Sequence, residues 1–233
     1  MDLYSFVLAN KEIFKIVYAL IIVAICFLIV TKSNRFFQLS SHTGIRYFRN
    51  AFFFFGLAFA SRYFLIFLFT GVFSPYRLFS NILFEFFLLM AGFTLLYSVM
   101  WRRLEPERHS SSSLFNSKIS IFYAMSIIIV ILDLIFGGFK LMFISQIILF
   151  LFLSAISYSK MSRNRGKNKV SKLYFLAMVL SLIAWILNAV VMMYFDLNKI
   201  LLTNVYILNT IFFLLFLYGV IKATRVGEKN SHG

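Results

Sequence analysis

A chain of 233 residues that is 61% hydrophobic and 20% aromatic but only 13% charged is too apolar for a water-soluble domain of its size, where roughly a quarter of residues are charged. The apolar residues fall in runs of spanning length, so the expected class is an all-α polytopic membrane protein in a single domain, 1–233. The net charge of +15 is read as a topology signal, because the Lys and Arg residues sit between the apolar runs.

Seven spans are predicted. The first, Ile13–Thr31, has no basic cluster before it, so no cleaved signal peptide is expected. Cys26, the single cysteine, lies in this run and excludes a disulfide within the chain. The preceding Ile25 is too bulky for a lipoprotein cleavage box, which makes Cys26 a packing residue. The second span, Tyr47–Phe69, contains Arg62; the third, Leu78–Trp101, contains Asn81 and Glu85. Ser117–Phe136 carries Asp133 near its end, and Leu141–Ser159 carries Gln146. Leu173–Phe195 holds Trp185 and Asn188, and Ile200–Ile221 holds Asn204, Tyr206 and Asn209. Both prolines, Pro75 and Pro106, fall in connections, so no kinked span is expected. Close helix approach is confined to Gly56, Gly92 and Gly219. Ser110–Ser113 reads as a flexible linker.

The connections alternate between long basic and short neutral ones. One side collects seventeen Lys and Arg residues, from Lys32 to Lys229, against five on the other: Lys11, Lys15, Arg77, Lys140 and Lys199. The positive-inside rule then places the N-terminus outside and the C-terminus inside. Six positive charges between Lys160 and Lys172 are expected to attract anionic lipid at the inner face. That connection has no aromatic interleaving, so nucleic acid is not an expected partner.

The first and last three spans resemble one another. The first leads to TKSNRFFQLSSHTGIRYF and the fifth to SKMSRNRGKNKVSKLYF; the third ends LLYSVMWRR and the seventh FLYGVIKATR. Setting Tyr47-Phe48 near Leu173-Tyr174 brings Arg62 opposite Asn188, and setting Tyr97 on Tyr218 brings Glu85 opposite Tyr206. The expected repeats are 11–103 and 137–225, parallel, with 117–136 as linker helix. This 3+1+3 layout resembles that of the SWEET sugar facilitators and, more loosely, opsin-like seven-helix proteins, which implies transport or sensing in a seven-helix bundle. The first and fifth spans lack the prolines of SWEET repeats, and Ile207–Leu217 offers no lysine for a retinal Schiff base.

Arg62 organises the functional reading. A guanidinium inside a span costs roughly 3 kcal/mol on insertion scales unless it is paired or hydrated. Counted at about 1.5 Å per residue, Arg62 and Glu85 lie roughly 13 and 12 Å from the outer surface. They are expected to pair, with Asn81 one turn from Glu85 adding a hydrogen bond and Asp133 as the rival partner. Gln146, Asn188, Asn204, Tyr206 and Asn209 share that half of the membrane, and Trp185 lies on the face of Asn188. Together these ten residues form the expected ligand-binding set of an outward-facing polar cavity. The phenylalanines Phe52–Phe55, Phe64, Phe67 and Phe69 read as packing or lipid-facing residues, and Trp101 as an interface anchor.

Enzyme chemistry is not expected, and neither a metal nor a cofactor is. His42, His109 and His232 all lie outside the spans, and no GxSG or HExxH motif appears. The expected function is a transporter or facilitator of a small solute or ion. The alternatives are a seven-helix sensor signalling through a partner and a non-catalytic scaffold subunit. A homo-oligomer or a separate membrane partner is left open. Abundant Phe, Ile, Lys and Asn suit an AT-rich microbial genome, so a microbial plasma membrane is the expected location.

Overall fold

The computed structural model describes residues 11–40, 43–68, 74–104, 117–136, 140–163, 169–194 and 199–231, with side chains at most of these positions, and every one of these segments is helical. The helices are α1 (Lys11–Ser40), α2 (Thr43–Leu68), α3 (Ser74–Leu104), α4 (Ser117–Phe136), α5 (Lys140–Arg163), α6 (Lys169–Tyr194) and α7 (Lys199–Ser231). Phe, Ile and Val are mediocre helix formers in water. In lipid the backbone has no other partner for its N–H and C=O groups, so an apolar run of this length closes on itself as a helix. Five helices contain stretches long and apolar enough to cross a membrane: Lys15–Arg35, Leu78–Trp101, Ile119–Phe136, Lys140–Ser162 and Ser171–Val191. The protein is accordingly integral to a membrane.

Several helices overrun their apolar cores. α1 continues nine residues past Thr31 and α7 ten past Ile221, through sequence rich in Lys, Arg and Asn that hydropathy excludes from lipid but helix geometry accepts. Pro75, expected in a connection, is the second residue of α3. In a first turn its missing N–H leaves no hydrogen bond unmade. His42, His109, Pro106 and the Ser110–Ser113 linker lie outside the described residues, as do the side chains of Phe64 and Phe67 and all of Phe69.

The distribution of polarity is that of a lipid-solvated bundle. Ile121, Met125, Ile128, Ile131 and Ile135 of α4 face outward, as do Leu151 and Phe152 of α5 and Ile211 and Leu214 of α7. Asn50, Ser80, Glu85, Asp133, Gln146 and Ser181 are buried. Hydroxyls in the helices return to their own backbone: Thr94 Oγ1 donates to the Met90 carbonyl at 2.6 Å and Ser181 Oγ to the Ala177 carbonyl at 2.7 Å. Ser80 instead crosses from α3 to the Ser61 carbonyl of α2 at 2.8 Å, tying the helix pair with the largest contact in the molecule.

Six helices close a ring. α1 packs on α2, α2 on α3, α3 on α5, α5 on α6, α6 on α7, and α7 returns to α1. α4 touches α3 and α5 from outside. It is attached through stacked rings, with Phe93 and Phe122 at 5.3 Å and 1° between planes. At the α3–α5 seam a Cβ on Gly92 would stand 2.9 Å from Leu149 Cδ1 and 3.0 Å from Gln146 Oε1. Only glycine leaves the space that lets Gln146 Nε2 reach the Leu88 carbonyl at 2.9 Å. A still tighter approach occurs at Gly44, where a Cβ would meet Trp101 Nε1 at 2.5 Å. Trp101 therefore closes the α2–α3 pair at that end.

Candidate functional site

Inside the ring, in the half that contains the start of α1, the end of α2 and the start of α7, lies a cavity of about 80 Å3. Each wall is a helical face. Phe55, Phe59 and Arg62 follow one another on α2 at the four- and three-residue steps that keep side chains on one side. Asn209, Phe212 and Phe213 do the same on α7; Trp185 and Asn188 do so on α6, with Val191 one turn on. Tyr63 of α2, Tyr18 of α1, Phe84 of α3 and Met142 and Phe143 of α5 complete the lining.

Its polar groups form an ordered set. The Arg62 guanidinium stands over the Phe84 ring, Cζ 4.4 Å from the centroid, an arrangement in which the ring face offsets part of the cost of removing a cation from water. Across the cavity Asn209 Nδ2 donates to the Tyr18 hydroxyl at 3.2 Å, and Asn188 Nδ2 donates to the Ala184 carbonyl at 2.9 Å and, more weakly, to Asn209 Oδ1 at 3.4 Å. α1, α7 and α6 are thus linked by one chain of hydrogen bonds. Trp185 packs on Phe143 and Phe150 at 6.1 and 6.4 Å between centroids. Its Nε1–H is buried without an acceptor among the described residues. Phe59 and Tyr63 stack at 3° between planes, and Tyr18 meets Phe59 edge-on at 5.8 Å.

Of the ten residues expected to form the site, Arg62, Trp185, Asn188 and Asn209 meet at this cavity. Glu85, Asp133, Gln146 and Asn81 do not line it. Glu85 is buried, and its carboxyl lies against that of Asp133. Asp133 in turn accepts the backbone N–H groups of Leu141 and Met142 at 2.9 and 2.7 Å, capping the start of α5. Gln146 serves the α3–α5 seam, and Asn81 is half-buried on α3. The side chains of Asn204 and Tyr206 lie outside the described residues.

Tyr18, Tyr63 and the phenylalanine walls were not among the expected site residues. A run of four phenylalanines at 52–55 does not reveal which one faces inward. The spacing of Phe55 and Phe59 from Arg62 does, and it was the usable signal. Phe53 alone of that run is exposed. The opposite half of the molecule has a polar group of its own, where Arg49 donates to Asn34 Oδ1 at 2.5 Å and to Asn50 Oδ1 at 3.4 Å. That set joins α1 to α2 near the basic connections. Among the described residues no cluster of His, Cys, Asp and Glu is placed to hold a metal ion. No protein-family model, curated protein or solved structure matches this chain, so the functional reading rests on the geometry of the cavity.

Proposed function

We propose that this is a seven-span membrane protein with its N-terminus outside, and that the cavity is the outward-facing site of a transporter or facilitator of a small solute. The observation that carries the reading is the convergence of Arg62, Asn188, Asn209 and Tyr18, from four helices, on one cavity at the end of the bundle away from the basic connections. Polar groups that served only to hold helices together would lie along the seams, as the Gln146 amide does at the Leu88 carbonyl. Here they border shared space instead.

A parallel 3+1+3 repeat fits the same picture. Such a repeat would exchange α1 with α5, α2 with α6 and α3 with α7 about an axis along the membrane normal. It maps the α1–α7 contact onto the α5–α3 contact and leaves α4 outside the ring. Setting Phe48 on Tyr174 sets Phe59 on Trp185 and Arg62 on Asn188, and both members of the last two pairs line the cavity. Setting Lys32 on Lys160 sets Tyr18 on Gln146, and Tyr97 on Tyr218 sets Leu88 on Asn209. The bond from Asn209 to Tyr18 then corresponds to the bond from Gln146 to Leu88, the second half supplying the donor in both.

Towards the basic end the axis is filled by rings. Phe55 meets Phe213 at 5.6 Å, Phe52 meets Phe216 at 5.1 Å, and Tyr174 meets Phe216 at 6.1 Å between centroids. In a transporter these rings are the inner barrier, and the two three-helix halves rock against each other to part them. The same barrier favours a second reading, a sensor, in which solute is held but never passes. Uptake of a panel of labelled small solutes into proteoliposomes separates the two. Uptake of at least one solute, abolished by Val191→Trp, which fills the cavity, supports transport. A solute that raises the melting temperature without being taken up supports sensing. Neither effect with any solute overturns the proposal.

A further inference from the structure

We infer that the end of the molecule carrying the basic connections binds anionic lipid, with one phosphodiester headgroup seated where α1 and α2 meet at Arg49. The inference stands apart from the cavity. Residues 31–50 carry Lys32, Arg35, Arg46 and Arg49 and no Asp or Glu. The imbalance extends to the whole of that side, where seventeen Lys and Arg residues are accompanied by three acidic side chains, Glu105, Glu107 and Glu228. Whatever contacts individual residues make within the chain, most of this charge is balanced from outside it. The α1–α2 seam gives one of the cations a fixed place. Arg49 is half-buried, and its guanidinium donates to Asn34 Oδ1 of α1 at 2.5 Å and to Asn50 Oδ1 at 3.4 Å. Both acceptors are neutral amides, so the two bonds orient the guanidinium and leave its charge in place. Arg46 stands one turn earlier on α2, close enough for the two like charges to repel. An anion beside them relieves that repulsion, and the planar fork of a guanidinium matches the oxygens of a phosphate. On α1, Lys32 and Arg35 flank the Asn34 position and are exposed.

The depth of this seat is that of a headgroup. Trp101 of α3 packs against Gly44, in the first turn of α2, and tryptophan concentrates at the membrane–water boundary. Arg46 and Arg49 follow Gly44 within two turns. Below them the same faces turn apolar. Phe53, four residues beyond Arg49, is exposed, and so is Leu28, four residues before Lys32. An anionic lipid meets both parts at once, its phosphate at the cations and its acyl chain along Phe53 and Leu28. A soluble phosphate or a nucleic acid would use the charges and leave the adjoining apolar faces to other lipids. The combination of fixed guanidinium, boundary depth and apolar continuation therefore fits a lipid.

The test is native mass spectrometry of the full-length protein in non-ionic detergent, titrated with phosphatidylglycerol or phosphatidylcholine of identical acyl chains. The expected result is phosphatidylglycerol binding at least about tenfold tighter, since each engaged charge at a membrane surface contributes about fivefold. Arg49→Gln should weaken phosphatidylglycerol about fivefold and leave phosphatidylcholine unchanged. Lys172→Gln removes an exposed charge elsewhere at the same end and should weaken phosphatidylglycerol less than about twofold. Should Arg49→Gln fail to fold, Arg35→Gln, at an exposed position of α1, carries the test with a loss of the same size. Equal affinity for the two lipids overturns the inference. Equal losses from Lys172→Gln and the seat variant overturn the place assigned at Arg49. Glycerol phosphate displacing phosphatidylglycerol at equal concentration would show a site for free phosphate and overturn lipid as the partner.

Discussion

Arg62 is the residue whose depth in an apolar run first indicated a site, and the Phe84 ring beneath it offsets part of the cost of placing a guanidinium there. Its expected partner, Glu85, lies instead against Asp133 at the cap of α5. The difference has a physical source: depth along a helix follows from counting residues, but the direction in which a side chain points depends on helix rotation, which an all-round apolar span leaves undetermined. A double-mutant cycle from thermal melts in detergent should give a Glu85–Asp133 coupling of about 0.5–3 kcal/mol, as for residues in contact, and an Arg62–Glu85 coupling below about 0.5 kcal/mol; a larger value for the second pair would restore the ion pair. Gly92 was legible as a point of close approach, but its partner was not. Gly92→Ala should cost about 1–3 kcal/mol by pushing Leu149 and Gln146 away from α3, and a melting temperature equal to that of the parent would show that the seam yields freely.

At the scale of the helices, apolar run length located every described helix, because the bilayer leaves so little choice of backbone structure. The ends were not legible. Hydropathy marks where lipid stops, whereas α1 and α7 run on through polar sequence to Ser40 and Ser231. Nor did the runs reveal which of α1 to α7 would be peripheral; α4 is as apolar as any, and its place outside the ring is set by the α3–α5 and α1–α7 contacts that close without it. The consequence is a gradient of sensitivity. Ile128→Ala, on the outward face of α4, should change stability by less than about 0.5 kcal/mol. Phe213→Ala, fully buried between Phe52, Phe55 and Phe59, should cost about 3–5 kcal/mol. Chemical unfolding in mixed micelles measures both, and comparable losses at the two positions would contradict the ring.

For the molecule as a whole, the charge bias of the connections and the position of the cavity are independent features that agree: the basic connections gather at one end, and the shared polar space lies at the other. The central claim is that this space is reached by water from the side away from the C-terminus. It is tested most directly with a membrane-impermeant thiol reagent on sealed proteoliposomes containing the Cys26→Ala protein with one new cysteine, Asn188→Cys. Ser231→Cys in a parallel preparation marks the side on which the tail lies. The account predicts that Asn188→Cys is labelled only from the face opposite Ser231→Cys. Labelling from the tail side, or from neither face, would contradict it.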